Sequence, residues 1–391
     1  MRGTASADLR YYLFLQRQPV NMTPKMTARI SAPPTRVLGT FCVLIAVSLS
    51  ASGNQLGDDS DGNLGIAPLF AIATPLEVTI EAPLTTLMRD RPEEEYLSGT
   101  LSYTGDEGTE RILDLKIRTR GNYRRKEEHC DFAPIRLNFR KKQVADTIFA
   151  RQDKLKLVTH CQSDRPYYEQ LVLREYLAYR FLHVMTSKSF GVRLLRINYV
   201  DTEGAEPMTK IGFVIEEDDD VAERNGMHSV KTGDISNADL DRGQQNLINV
   251  FQYMIGNTEY SLYIAEPGKT CCHNSKLMSA SMGAPYTPLP FDFDFAGIVN
   301  ARYAQPNPRY DLKNVRQRLY RGLCENNDLL PDTFQLFVDK KDAIYSVVDQ
   351  LELLTSRSRR DTTWYLNAFY NQILNPKRVR TRFISDCEDR L

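Results

Sequence analysis

Between residues 76 and 217 apolar and polar positions alternate in short runs. "LEVTIEA" (76–82), "RILDLKIRTRG" (111–121), "APIRLNF" (133–139) and "DKLKLVTH" (153–160) follow one another, with glycines and charged clusters between them. Side chains of a strand point to opposite faces in turn, so this period of two predicts half-buried strands. "GVRLLRINYV" (191–200) and "TKIGFVIEE" (209–217) predict two more. One long helix interrupts them, from Tyr167 to Met185, with Leu171, Glu175, Ala178 and Leu182 on one face. The second half of the chain carries a helical period instead. Helices are predicted over Asp239–Ile255, Leu312–Leu323, Asp332–Leu354 and Asp361–Leu374. The expectation is an α+β fold with a strand-rich N-lobe over 76–225 and a helical C-lobe over 226–391. A cleft between two such lobes is a natural ligand site.

The first 53 residues break this pattern. Arg29 and Arg36 precede "VLGTFCVLIAVSL" (37–49), and small residues follow. Basic, apolar, small is the order of a secretory signal. The apolar run is short against the ~20 residues of a membrane span. Residues 1–53 therefore read as a cleaved signal, with an uncleaved membrane anchor as the alternative, and 54–75 as a polar linker. The protein is expected to be exported, to the periplasm or cell envelope. Six cysteines lie beyond the signal: Cys130, Cys161, Cys271, Cys272, Cys324 and Cys387. In an exported chain they permit disulfides without revealing the pairing, and the absence of C-x-x-C argues against zinc. The formal net charge is zero, which gives no support to nucleic-acid binding.

Within the helical half, "PFDFDFAG" (290–297) sets two like charges among three phenylalanines. On a strand, Phe291, Phe293 and Phe295 would anchor one face, and Asp292 and Asp294 would point together from the other. Two carboxylates converging on magnesium or manganese would satisfy both charges. "KIRTRGNYRRK" (116–126) places Arg118 and Arg120 on one strand face before a Gly-Asn turn, an arrangement suited to phosphate oxygens. Glu175 lies on the apolar stripe of its helix, where a carboxylate is costly unless paired. Lys156, on the preceding strand, is its expected partner and would offer an ammonium to a nucleotide phosphate. Asn257 and Glu259, in "GNTEYS", with His273 and Asn274, in "HN", would between them supply a base and a metal-ligand amide. The acidic run Glu216–Asp220 reads as a solvated connector near an interlobe hinge.

Taken in order, these segments resemble the CotH-like kinase family, related to a bacterial spore-coat protein. The likeness is carried by "LKIRTRGNYRRK", "PIRLNF", "DKLKLVTH", "LREYLAYR", "IGFVIEE", "YMIGNTEYS", "HN" and "PFDFDFAG", over roughly 110–300. The resemblance implies an atypical, reduced protein-kinase-like two-lobed fold. It also implies phosphorylation of protein serine or threonine with ATP and a divalent cation. Lys156 and Glu175 would form the kinase-like lysine–glutamate pair. Asn274, Asp292 and Asp294 would hold the metal, Arg118 and Arg120 would steady the triphosphate, and Glu259 and Asp292 would be catalytic. The substrate would be an envelope or exported protein. Two positions depart from the family: Phe291 replaces a common tryptophan, and Glu259 a common aspartate. The longer Glu259 side chain shifts its oxygens by about one bond, and ~1 Å of misplacement costs roughly 100-fold in rate. The alternatives are a slow or inactive envelope binding module, or a protein nucleotidyl transferase.

Overall fold

The computed structural model describes residues 65–105 and 108–389. The segment 1–53 expected to be a signal or anchor, and residues 54–64 of the expected linker, lie outside the described residues. Linker residues 65–75 are packed: a short helix, Pro68–Ala71, buries Leu69 and Phe70 against the first core. Among the described residues no helix is long and apolar enough to cross a membrane.

Seven strands close a barrel: β1 (Leu76–Ala82), β2 (Leu97–Thr104), β3 (Glu110–Thr119), β4 (Ile135–Phe139), β5 (Lys154–Val158), β6 (Val192–Asp201) and β7 (Met208–Ile215). Their order around the barrel is β1-β2-β3-β4-β5-β7-β6. Every pairing is antiparallel except β1 with β6, which closes the barrel in parallel. The alternation seen in the sequence is what fills it: Ile80, Ile117, Leu137, Leu155 and Ile197 all point inward and are fully buried. Strand β2, "LSGTLSYT", is the one the reading above passed over.

The helix α1 (Tyr167–Met185) leaves β5 and packs under β7 with almost every side chain buried. It belongs to a second core, shared with the helical half. That half contains α2 (Asp218–Arg224), α3 (Arg242–Ile255), α4 (Leu330–Asp339), α5 (Lys341–Gln350) and α6 (Ser356–Ile373). A three-stranded sheet joins β8 (His228–Val230), β9 (Ser275–Ser279) and β10 (Thr287–Pro290).

Three predicted elements are corrected. The single helix over Asp332–Leu354 breaks at Lys340, so that Phe334 and Phe337 on one piece and Ile344 and Val348 on the other all reach the core. Residues 312–323 form no helix. Arg316, Arg318 and Arg321 there bond instead to Asp361 and to the carbonyls of Tyr253, Met254, Tyr365 and Tyr260. The acidic run 216–220 is no solvated connector. Glu216 is fully buried, accepting from Gly191 N and from Arg224, while Asp218, Asp219 and Asp220 open α2, where carboxylates favour the helix N-terminus.

All six cysteines beyond the signal are joined, as Cys130–Cys161, Cys271–Cys272 and Cys324–Cys387. The last closes 63 residues, a constraint on the unfolded chain of about 4 kcal/mol in the loop-entropy account.

Candidate functional site

A cleft of about 760 Å³ opens between the barrel and the helical half. Arg120, Gly121, Asn122, Tyr123 and Arg124 line it from the turn after β3, Glu175 from α1, and Glu259 from the loop after α3. His273 and Asn274 reach it before β9, and Asp292 and Asp294 after β10. Six of the residues singled out above are therefore together: Arg120, Glu175, Glu259, Asn274, Asp292 and Asp294.

The route by which the two aspartates converge is not the one expected. Strand β10 stops at Pro290, and 291–299 is a run of turns. Asp292 has φ of 63° and its N–H donates to the Tyr179 hydroxyl at 2.9 Å. The left-handed region is more open to aspartate and asparagine than to bulkier residues. The three phenylalanines consequently disperse. Phe291 packs near Phe190, Phe293 is buried against Tyr179 and Phe251, and Phe295 meets Tyr123 and Tyr303. Gly297 occupies a place where a side chain has no room. A Cβ there would collide with the Tyr365 hydroxyl and lie 2.6 Å from the Val315 carbonyl.

The deep wall of the cleft is a carboxylate cluster faced by guanidinium groups. Glu175 is 2% exposed and Asp294 7%. Burial first, then the neighbouring Asp292, pushes the Asp294 carboxyl up to about 7; Arg124 and a hydrogen bond from the Tyr303 hydroxyl at 3.1 Å pull the other way. Burial and Asp294 likewise raise Glu175 well above the usual carboxylate range. Two such buried groups cannot both ionise without added positive charge. Arg124, 9% exposed, supplies some, with Nη1 at 3.9 Å from Glu175 Oε2. Burial opposes its charge, but Tyr303, Asp294 and Glu175 outweigh it. The Nε atoms of Arg120 and Arg124 are buried without hydrogen-bond partners.

Arg124 thus holds the place expected of Lys156. Lys156 leaves β5 toward the rings of Phe190 and Phe291, 5.7 and 5.2 Å from their centroids, and does not line the cleft. Burial lowers its ammonium, and Glu217, not Glu175, is the first group opposing that. The reason is register: Lys156 pairs with Arg136 on β4 and Ile215 on β7, away from the turn that carries Arg124. Arg118 is also absent from the cleft. It lies opposite Arg136, over the Tyr96 ring, and donates to the carbonyls of Glu93 and Thr119. Strand β3 ends at Thr119, so Arg120 turns inward where Arg118 cannot.

The outer wall is half-exposed. His273 bridges two carboxylates, Nδ1 to Glu266 at 2.7 Å and Nε2 to Glu259 at 3.2 Å. The hydrogen bond to Glu259, reinforced by that to Glu266, raises the imidazole against partial burial. Asn274, at φ of 51°, donates from Nδ2 to the Glu259 carbonyl at 2.8 Å, which leaves its Oδ1 as a possible metal donor.

Arg124, Tyr303 and Glu266 were not singled out from the sequence. Arg124 sits in a basic run where nothing local separates it from Arg125, and Tyr303 and Glu266 carry no motif at all. Among the described residues no group of three or more His, Cys, Asp or Glu side chains is placed to hold a metal by itself. Asp292 and Asp294 with the Asn274 amide nevertheless fit magnesium, which commonly takes one or two carboxylates and completes its shell with phosphate and water. Neither models of known protein families nor curated protein sequences match this chain.

Proposed function

We propose that this cleft binds ATP with a divalent cation and transfers the γ-phosphoryl group to a protein hydroxyl, as the resemblance to CotH-like kinases implies. The observation that carries the reading is the pairing of a carboxylate cluster, with Glu175 and Asp294 buried and Asp292 part-buried beside them, with two guanidinium groups whose Nε atoms lack partners. A polyphosphate would bring acceptors to a pair of guanidinium groups whose Nε atoms the protein leaves without one, although Arg124 Nη2 already donates to the Thr159 carbonyl. The polyphosphate's cation brings the positive charge that Glu175, Asp292 and Asp294 lack.

Asp292, Asp294 and Asn274 would hold magnesium or manganese, which when bound neutralises phosphate charge. Arg120 and Arg124 face the phosphates, and Glu175 orients Arg124. Glu259 accepts the proton of the serine or threonine hydroxyl as its oxygen bonds to phosphorus. The bond from that phosphorus to the β-phosphate oxygen breaks, and ADP leaves. Such chemistry rests almost wholly on positioning and electrostatics, which suits a rigid, buried cluster. The disulfides favour an oxidising compartment, in keeping with export and an envelope protein as substrate.

The test is incubation with ATP labelled at the γ-phosphate, magnesium and an unstructured serine-rich acceptor protein. Label should pass to the acceptor, and should not with Asp292→Ala. Intact mass separates the rivals: a nucleotidyl adduct makes the protein a nucleotidyl transferase, and bound ATP without transfer makes it a binding module. Failure to bind ATP at all removes the reading.

A further inference from the structure

Glu259 stands on a loop, 257–263, whose shape is set from beneath by one arginine. Arg321 is 7% exposed, and its Nη1 donates to the carbonyls of Thr258 and Tyr260, the two residues flanking Glu259. The guanidinium plane lies between two rings, 4.6 Å from the Tyr260 centroid and 5.1 Å from that of Tyr310. Its Nε donates to Glu388 Oε1 at 3.3 Å. Glu388 also accepts from the Tyr263 hydroxyl, in the same loop, at 3.5 Å. The backbone of Glu388 is itself tied down: its N–H donates to Gly322 O at 2.9 Å, and its carbonyl accepts from Cys324 N at 3.0 Å. One residue earlier, Cys387 is bonded to Cys324.

We propose that Arg321 is a positioning residue for Glu259, and that the Cys324–Cys387 disulfide keeps it in place through Glu388. This rests on the reading of Glu259 as the carboxylate that takes the acceptor's proton. The Thr258 carbonyl belongs to the peptide plane that enters Glu259, and the Tyr260 carbonyl to the plane one residue beyond the plane that leaves it, so Arg321 clamps the loop on both sides of the residue. A planar guanidinium can reach both carbonyls and a carboxylate at once, which the single ammonium of lysine cannot. Loss of this grip lets the Glu259 carboxylate drift, and ~1 Å of drift costs on the order of 100-fold in rate. Asn274 touches this loop through its hydrogen bond to the Glu259 carbonyl, whereas Arg120, Arg124, Asp292 and Asp294 lie on the other walls of the cleft. The activity of the outer wall therefore depends on an oxidised pair of cysteines at the C-terminal end of the chain.

The experiment compares the wild type with Glu388→Gln, Arg321→Ala, Arg321→Lys and the double variant Cys324→Ser/Cys387→Ser. Two readouts are taken on the full chain: amide hydrogen exchange, and phosphate transfer with varied ATP. Exchange over 257–263 should rise about tenfold in Glu388→Gln and in the double variant, with helix Tyr167–Met185 unchanged. The kcat should fall roughly 10- to 100-fold, with KM for ATP within about twofold. Arg321→Lys should fall between Arg321→Ala and the wild type. Unchanged exchange over 257–263, or a KM that rises as kcat falls, overturns the proposal. If the double variant does not fold, the isosteric Glu388→Gln decides. If the wild type transfers no phosphate, the kinase reading falls, and the exchange data still decide whether Arg321 and its disulfide hold the loop.

Discussion

The deep and outer walls of the cleft solve opposite problems with similar residues. On the deep wall Glu175 and Asp294 are almost wholly buried, and a positive charge is missing. On the outer wall Glu259 and Glu266 are half-exposed and share a histidine that sits between them. Two histidines mirror this. His160, fully buried against Phe132 beside the carbonyl that Arg124 grips, is pushed down to about 3, chiefly by burial. His273 is raised, chiefly by its bond to Glu259. Burial makes fixed charges strong and leaves them waiting for a counter-charge. Exposure leaves a proton free to come and go.

The sharpest break in that contrast is to remove a charge from the deep wall. Asp294→Asn should lower phosphate transfer by ~10³-fold or more, as should chelation of the divalent metal. The same substitution should raise the melting temperature of the metal-free protein, because one of three crowded carboxylates is gone. A calorimetric scan beside the transfer assay reads both. Arg124→Ala takes away the cation instead, leaving Glu175 buried and without its partner. A loss of about 3–5 kcal/mol in urea unfolding is expected, with loss of ATP binding by titration calorimetry.

On the outer wall the same kind of change should be milder. Glu259→Gln should slow transfer about 100-fold while ATP affinity stays within about twofold. An equal loss in affinity would mean that the two walls do not divide the work. The smallest effect concerns stability and pH. The folded value of His160 lies below the ordinary 6.5, so the unfolded chain takes the proton first as pH falls. Its contribution is complete above about pH 6.5 and is lost as pH drops toward 3. His160→Gln should flatten the stability curve between pH 6.5 and 4 by about 3 kcal/mol, measured by urea titration at stepped pH.

Much of the barrel could be read in advance, because a period of two is a local signal and six of its strands carry it. The helix Tyr167–Met185 was legible to its ends, as was the cost of placing Glu175 on its buried face. The nearness of Asp292 and Asp294 was legible too, though for the wrong local reason: they converge from a turn held by Tyr179, not from a strand. What pairs with Glu175 was not legible. Lys156 and Arg124 both precede it within a few tens of residues, and only the register of β4, β5 and β7 sends one toward Phe291 and the other into the cleft.

The chain by itself settled where six of the barrel's seven strands lie, that one carboxylate would be trapped on a helix, and that two more would stand near each other. Those outcomes depend on spacing between neighbours, which is written in the order of residues. The folded molecule alone decided that Arg124 answers Glu175, that Cys324 meets Cys387, that residues 312–323 give up a helix to let Arg316 reach Asp361 and Arg318 and Arg321 reach distant carbonyls, and that Gly297 makes room for Tyr365. These are contacts between segments tens to hundreds of residues apart. Their geometry is set by how the barrel and the helices pack, and no local pattern encodes it.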